Sequence, residues 1–490
     1  MHARRDRKGD ERFMTGARKE FLYVAAPAAA LALLYFAGGN RCYPIVDDAL
    51  PFVLHVHGGP VIIVHHLVFV ALSWLNALLG FTGADEVGGT LLLFRAYVAA
   101  TSFLTLCLVG ILSLRWFGSL RMALASIALA GFTSGYWLYS MITDMPVPAT
   151  AFTLLGVYFA DRSFEGHRAG YARLLLASLA VLAAATNHQS HAMVVIPITA
   201  VVLLWRGGAR PWKSRLARSA FFVGVTGVLG LVTYYSAYLQ ADSRGDFVTF
   251  IRGMEAGGKA FPTDRVQLIT PVYAGVGISR AMVIPEYALH LDPAYESVSA
   301  HFRSRLLSKY RYAMRSLPDS LVRIALAVTS ALLVAWVLIA LRALLRLRRS
   351  PPPHPGLWMV VGWMVVQGLF STWWLATSRE FWIWMIPCMS VVGTGLAFAS
   401  PRGSAGRVIP WILAAALFAV NMPALSRLWN ANNCLYSVNL TYRTKLRADD
   451  LVIAPYLYSI SELTALQESA AQTFLCHRGM FDFDDPALGR

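Results

Sequence analysis

Charged residues are scarce in this sequence. Of its 490 residues only 14% are Asp, Glu, Lys or Arg, whereas 57% are hydrophobic, and the mean hydropathy is +0.52. Soluble chains carry about 25% charged residues. The deficit excludes a water-soluble fold of this size, because much of the surface must face lipid. We therefore expect an all-α polytopic membrane protein.

Cysteines are few, and nucleotide-binding motifs are missing. Five cysteines in a chain of this length do not form a disulfide scaffold, although Cys434 and Cys476 would be able to pair in an oxidising compartment. There is no Walker motif, dinucleotide fingerprint or serine-hydrolase elbow, which leaves an ATP-driven pump without support. The first apolar stretch, Phe21 to Gly38, ends without a small-residue cleavage motif, so we expect a retained span rather than a signal peptide.

Basic residues are in excess, and their positions indicate a membrane topology. The formal net charge is +16 and the pI is 9.8, a balance that would also suit nucleic acid binding. Here the Lys and Arg residues form short clusters between apolar runs, as in the cytoplasmic loops of membrane proteins, and we expect no nucleic-acid partner. Runs able to cross roughly 30 Å of hydrocarbon begin near Phe21, Leu91, Met122, Pro146, Leu174, Ala192, Ala220, Leu321, Leu357, Phe381 and Val408.

One further run, Val61 to Phe81, is ambiguous. If it crossed the membrane, the five basic loops that follow it would lie outside. If it does not cross, all of them join the basic N-terminus in the cytoplasm, as the positive-inside bias requires. We therefore place this run on the outer face as a re-entrant or interfacial helix. The topology then has about eleven transmembrane helices in a plasma (inner) membrane, with a cytoplasmic N-terminus and an extracytoplasmic C-terminus.

This topology divides the chain into three parts and exposes two long outer loops. The parts are a cytoplasmic basic N-terminus (1–20), a transmembrane domain (21–425) with outer loops at 40–89 and 240–319, and an extracytoplasmic tail (426–490). Within the tail, the pattern predicts a short strand at Leu451 to Ala454 and a helix at Ser459 to Ala471.

Two adjacent carboxylates in the first outer loop are the candidate catalytic residues. Asp47 and Asp48 follow the first span by about ten residues. A carboxylate above a membrane cavity can act as a general base on an acceptor hydroxyl, and the pair can also bind a divalent metal ion. A solvated acidic loop or a helix N-cap is the alternative interpretation.

Histidines on the outer face are candidate cavity-lining residues. Only about 16 residues per crossing, or roughly 24 Å, separate the basic loops on either side of the third outer tip. His188 and His191 should therefore lie below the outer surface and line a polar cavity. His65 and His66, in the interfacial run, fit no standard zinc spacing. They are expected to contact lipid or substrate oxygens, or to form the polar side of the helix.

Basic residues on the outer face are candidates for binding phosphate. Arg379 stands on a very short outer loop against the general charge bias, which favours an anionic partner such as a lipid phosphate; snorkelling is the alternative. Arg303, Arg305 and Lys309 belong to an amphipathic stretch expected to lie on the outer leaflet. Asp144, before Pro146, is either an N-cap or a carboxylate that orients the donor or an arginine.

The order of these motifs resembles the GT-C membrane glycosyltransferases, in the branch of protein O-mannosyltransferases and aminoarabinose transferases. The resemblance covers residues from about 20 to 425. Its motifs are Asp47-Asp48, His65-His66-Leu67, Leu79-Gly80-Phe81 with Arg95, Thr143-Asp144-Met145-Pro146, and Ser378-Arg379 followed by Phe381 to Pro387.

The resemblance implies a GT-C fold and sugar transfer at the outer leaflet. The donor would be a polyprenyl-phosphate sugar, and the acceptor a lipid, a glycan or a protein. Asp47 or Asp48 would be the base of an inverting single displacement, and the cations on the outer face would stabilise the leaving phosphate.

Two other functions remain open. An O-antigen ligase or polymerase would use a pyrophosphate-linked glycan and residues such as His301, Arg303 and Arg305. A lipid or sugar transporter (flippase) would use the same polar cavity, but it would be expected to show internal repeats and charges deep in several spans. The sequence shows no repeat, and its polar residues gather on one face, which favours an enzyme.

Overall fold

The computed structural model describes most of the apolar part of the chain and two short strands of the tail. The described residues are 3–38, 66–80, 87–142, 144–165, 169–206, 211–240, 246–247, 270–293, 296, 317–349, 354–376, 378–398, 408–426, 451–455 and 472–476.

The described residues are almost entirely helical. The helices are α1 (Ala3–Gly38), α2 (His66–Leu78), α3 (Val87–Phe117), α4 (Leu120–Gly131), α5 (Ser134–Met141), α6 (Pro146–Arg162), α7 (Ala169–Asn187), α8 (Val195–Leu204), α9 (Trp212–Gln240), α10 (Thr270–Met282), α11 (Asp319–Arg349), α12 (Pro355–Leu375), α13 (Met385–Phe398) and α14 (Val408–Ser426). Three 3₁₀ turns, Gln189–Val194, Pro285–His290 and Glu380–Trp382, precede α8, follow α10 and precede α13.

The helices confirm a multi-pass membrane protein. Eight of the described helical segments are long and apolar enough to cross a bilayer, and two shorter apolar ones are Leu120–Gly131 and Gln189–Leu204. All eleven apolar segments expected from the sequence fall on helices. Local signals set several boundaries: Gly118 ends α3 with a φ of +64°, the Ser119 hydroxyl caps α4, and Pro146 opens α6.

The third crossing is broken rather than continuous. The sequence predicts one span from about Met122, but α4 ends at Gly131 and α5 begins at Ser134. The break has partners: the Asn421 amide of α14 donates to the Phe132 carbonyl at 2.8 Å. Hydrogen bonding to the neighbouring helix satisfies backbone that would otherwise be costly in lipid.

The centre of the bundle is α13. In the apolar window of this segment 89% of the residues are buried, against 22% for α9, which is largely exposed at the surface of the bundle. Helices α3, α4, α11 and α12 surround α13. Close approach depends on small residues, since a Cβ on Gly395 would collide with the Phe117 ring.

One end of the bundle is joined by ion pairs. Asp161 of α6 is buried and accepts from Arg115 Nε at 2.6 Å and from the Gly356 amide at 2.8 Å. Glu165 pairs with Arg115 and Arg162. These residues come from loops expected in the cytoplasm, and the fold brings them to one end. The orientation of that end in the membrane stays a prediction.

Helix α2 lies within the ambiguous Val61 to Phe81 run. Its 13 residues span about 20 Å, and the interfacial placement of the whole run stays a prediction. Val68 and Leu72 are buried against α3, whereas Trp74 and Leu78 are exposed. One face of α2 is therefore bound to the bundle and the other is open.

The tail contains a small parallel sheet. Strand β1 (Leu451–Pro455) pairs with β2 (Gln472–Cys476) from Leu451↔Gln472 to Pro455↔Cys476. The predicted strand at Leu451 to Ala454 is thereby confirmed. The predicted helix at Ser459 to Ala471 lies outside the described residues, as does Cys434, so its pairing with Cys476 stays a prediction.

Candidate functional site

Arg379 is held inside the protein by a carboxylate that the sequence did not single out. It precedes the 3₁₀ turn Glu380–Trp382, and its side chain is only 3% exposed. Its Nη2 donates to Glu286 Oε1 at 2.8 Å. A snorkelling arginine keeps its guanidinium in water. The burial of Arg379 therefore argues against snorkelling.

Glu286 joins two arginines. It lies in the 3₁₀ turn Pro285–His290, is 4% exposed, and its Oε1 also accepts from Arg280 Nε at 2.9 Å. Burial opposes ionisation of Glu286, but the charges of Arg379 and Arg280 outweigh it and hold its pKa below the usual glutamate value. The three ionised groups therefore carry a net charge of one positive unit.

The paired groups retain unused hydrogen-bonding capacity. Arg379 Nε and Nη1 and Glu286 Oε2 are buried and make no hydrogen bond with the described part of the chain. A buried N–H without a partner costs about 1–3 kcal/mol, and more when it is charged. Guanidinium groups bind phosphate through several N–H groups at once. An anion at Arg379 would therefore satisfy donors that have no partner among the described residues.

The third outer tip meets the Arg379 segment. His188 Nε2 lies 3.5 Å from Glu380 Oε1, and the His188 ring packs edge-on against Phe381 with ring centroids 5.3 Å apart. The Nδ1 atom of His188 is 2.8 Å from the Ser190 hydroxyl. The fold thus brings a predicted cavity-lining histidine to the residues that follow Arg379.

His191 lies beside His188 and is held by a side-chain contact. The Thr153 hydroxyl lies 2.8 Å from the Ala149 carbonyl oxygen and 2.8 Å from His191 Nδ1, and it fixes the position of the imidazole ring. His191 is buried, with its ring 5.7 Å from that of His188.

Asp144 lies at the second outer tip and does not act as the helix N-cap. Met145 occupies that position in α6, and Asp144 Oδ1 accepts from the Met145 amide at 2.7 Å. Asp144 is buried. Met145 packs against α2 and α3, and Tyr97 of α3 donates to Asn187 Oδ1 at 2.7 Å. This tip is thereby connected to the base of the third tip.

The start of α5, the helix that leads to this tip, is tied to the segment of Arg280. The Ser134 hydroxyl at the start of α5 lies 2.9 Å from the Arg280 carbonyl oxygen and 2.7 Å from that of Val283. A Cβ on Gly135 would collide with the Ala281 backbone. Contacts therefore run from α5 through α10 and Glu286 to Arg379, then through His188 to Asn187 and α3.

The other predicted site residues are not placed. Asp47, Asp48, His65, Arg303, Arg305 and Lys309 lie outside the described residues, and His66 begins α2 without a described side chain. In the part of the chain that is described, no group of three or more His, Cys, Asp or Glu residues is arranged to hold a metal ion. A divalent cation at the Asp47–Asp48 pair stays a prediction.

Sequence reasoning missed Glu286 and Arg280. They lie 93 and 99 positions before Arg379, with no shared motif to join them. The available signal was a lone acid after an apolar segment, in Met-Val-Ile-Pro-Glu, inside a loop treated as one outer stretch. An isolated carboxylate beside a proline in apolar surroundings needs a buried cation.

The fold defines a helical multi-pass membrane protein with a charged cluster joining its loops. No protein-family model matches the sequence, and a comparison with curated protein sequences also gives no match.

The solved structures that resemble it include two of one membrane protein. The crystal structure of ArnT from Cupriavidus metallidurans bound to undecaprenyl phosphate has a TM-score of 0.52 and 13% sequence identity, over 94% of this chain and 86% of that chain. The apo state of ArnT gives a TM-score of 0.49 and 12% identity over the same shares. The first of these shows that the chain shares the ArnT fold.

Proposed function

We propose that the protein is a GT-C glycosyltransferase that moves a sugar from a polyprenyl-phosphate donor to a lipid, glycan or protein acceptor on the extracytoplasmic face. The observation that carries the proposal is the buried Arg379: within the described residues it bonds through Nη2, and its Nε and Nη1 have no partner there. The fold supports it, because ArnT, a GT-C aminoarabinose transferase, has been crystallised with undecaprenyl phosphate.

The charge of the cluster suits a phosphodiester. Arg379, Arg280 and Glu286 together carry one positive charge, and a sugar joined to a lipid through one phosphate carries one negative charge. Binding would neutralise both in a site largely shielded from water, where charge interactions are strong. A pyrophosphate-linked glycan carries at least one further negative charge. This favours the monophosphate donor over that of an O-antigen ligase or polymerase.

The reaction is a single displacement at the anomeric carbon. The acceptor oxygen forms a bond to that carbon as the bond to the phosphate oxygen breaks, and the electron pair leaves with the phosphate. The acceptor proton passes to Asp47 or Asp48. The alternative role of this pair is to bind a divalent metal ion. Arg379 stabilises the charge that develops on the phosphate, with Arg303, Arg305 and Lys309 as further candidates. Inversion at the anomeric carbon follows from a single attack.

The experiment is mass spectrometry of lipids from cells that lack the protein. A polyprenyl-monophosphate sugar should accumulate, and the wild-type gene should remove it. Arg379→Gln and the double variant Asp47→Asn/Asp48→Asn should leave the donor in place. Arg323→Gln, which alters an exposed arginine of α11, is the matched control and should restore consumption.

The same experiment separates the alternatives. Accumulation of a pyrophosphate-linked glycan would identify a ligase or polymerase instead. Substrate-dependent flux in proteoliposomes without donor consumption would identify a transporter.

A further inference from the structure

Glu286 has a geometry suited to controlling Arg379 rather than to binding an anion itself. Its Oε1 accepts from both arginines, and the Arg379 bond uses Nη2 alone. The carboxylate thus fixes one edge of the Arg379 guanidinium and leaves Nε and Nη1 for another partner. Because Glu286 and Arg379 are both nearly fully buried, neither side chain can turn to bulk water.

The position of Glu286 is itself fixed by the fold. Its neighbour Tyr287 is buried and donates to the Val420 carbonyl of α14 at 2.6 Å. On the other side, Trp382 donates to the Ala376 carbonyl at 2.8 Å and holds the turn that carries Arg379. Two separately anchored turns therefore meet at one charge pair.

We propose that Glu286 is a positioning and specificity residue: it orients Arg379 and offsets one arginine charge beside the phosphate, which favours lipid phosphates with a single negative charge over those with two. This inference rests on the proposed function, because it requires Arg379 to contact the lipid phosphate. The inference goes beyond the proposed function because it makes Glu286 and Arg280 the residues that determine which phosphate the site accepts.

The inference predicts that phosphate preference follows the charge of the cluster. Glu286→Gln makes the site more positive by one unit, Arg280→Gln makes it less positive by one unit, and the double variant restores the charge of the wild type. The probes are a polyprenyl methyl phosphodiester, with one negative charge, and a polyprenyl diphosphate, with at least two. Binding to purified protein in nanodiscs is followed by tryptophan fluorescence, for which Trp382 and Trp384 lie next to the site.

We expect Glu286→Gln to shift the ratio of the two dissociation constants toward the diphosphate by about tenfold or more, the effect of one unit charge a few Å away. Arg280→Gln should shift it about as far toward the phosphodiester. The double variant should lie within roughly threefold of the wild-type ratio. Glu286→Asp, which keeps the charge but shortens the side chain, should weaken both probes alike, since it disturbs position without changing charge.

Glu165→Gln is the matched control. Glu165 pairs with three arginines, Arg115, Arg162 and Arg173, at the opposite end of the bundle, and its loss makes the same charge change. In Glu165→Gln, the ratio of the two dissociation constants should remain that of the wild type. If Glu286→Gln does not fold, Arg280→Gln and the double variant still give the sign of the effect.

An equal ratio in all folded variants would overturn the inference while leaving the proposed function intact. Arg379→Gln tests the function separately, because it should remove binding of both probes. If Arg379→Gln binds both probes as tightly as the wild type, the anion site itself is disproved, and the inference with it.

Discussion

Gly277 gives the sharpest mechanical test of the Arg379 site. It lies in α10, three residues before Arg280, at the point where α10 passes the Arg379 segment. A Cβ built on Gly277 lies 2.6 Å from Trp382 Cδ1, and closer still to Trp382 Nε1 and the Ala376 carbonyl oxygen. One of these contacts is to backbone, and the indole is held by its bond to that same carbonyl. The Ala376 carbonyl and the Trp382 indole are therefore both constrained against moving away from a new Cβ.

The size of the effect follows from these contacts. An ordinary carbon contact needs about 3.5 Å, so Gly277→Ala must push the two segments apart by roughly 1 Å. Overpacking of this kind costs about 1–3 kcal/mol, against a gain of up to about 1 kcal/mol from helix propensity. A displacement of about 1 Å at a reacting group can lower the rate by about a hundredfold. We expect a modest loss of stability and a large loss of donor consumption.

The assay compares Gly277→Ala with Gly275→Ala. A Cβ on Gly275 meets no atom within 4 Å, so this variant gains helix propensity without a collision. Purified proteins are heated in detergent, the fraction still eluting as a single species is measured, and donor consumption is assayed in membranes. Gly275→Ala should be at least as stable as the wild type and equally active. If Gly277→Ala were also as active as Gly275→Ala, the close packing of α10 on the Arg379 segment would be refuted.

Three further predictions concern stability. Asp161→Asn places an amide against donors at a buried site and should destabilise the protein by about 2–4 kcal/mol. Arg162→Gln, at a more exposed ion pair, should cost no more than about 1 kcal/mol. An equal loss of thermal stability in the two variants would contradict this prediction. Tyr97→Phe removes the donor to Asn187 and should cost about 1–3 kcal/mol in the same melting assay, with an unchanged midpoint counting against the bond. Because the folded-state pKa of Glu286 is depressed, its contribution is present above the unfolded-state pKa of about 4.3 and is lost as pH falls through the lower folded-state value; thermal stability should decline less steeply below pH 5 in Glu286→Gln than in the wild type.

Hydrophobic runs and charge clusters were sufficient to predict most of the fold. Each expected apolar segment falls on helical residues, because crossing a bilayer demands a long apolar segment whatever its neighbours. The inward position of the third outer tip was predicted from length alone; His188 contacts the residues that follow Arg379, and a polar cavity lined by His188 and His191 stays a prediction. The broken third crossing was missed, since its signal is a hydrogen bond from Asn421, far along the chain.

Glu286, the partner of Arg379, was missed for a similar reason. Arg379 attracted notice because its local sequence is unusual, but its partner Glu286 has no periodic or motif-like context. Pairing between residues about ninety positions apart depends on how α10 and α12 pack, which no local pattern encodes. Asp47 and Asp48 were singled out by sequence and remain a hypothesis that the Asp→Asn variants address.

The deep burial of α13 bears on how the protein is made. Chains are synthesised from the N-terminus, so α3, α4 and α11 enter the membrane before the helix that they surround. The contacts that Phe117 and Ile339 make with Gly395 and Gly393 therefore form only after α13 has been synthesised. The Arg379 turn directly precedes α13 in the chain, so the packing of the central helix and the pairing of Arg379 with Glu286 both belong to a late stage of assembly.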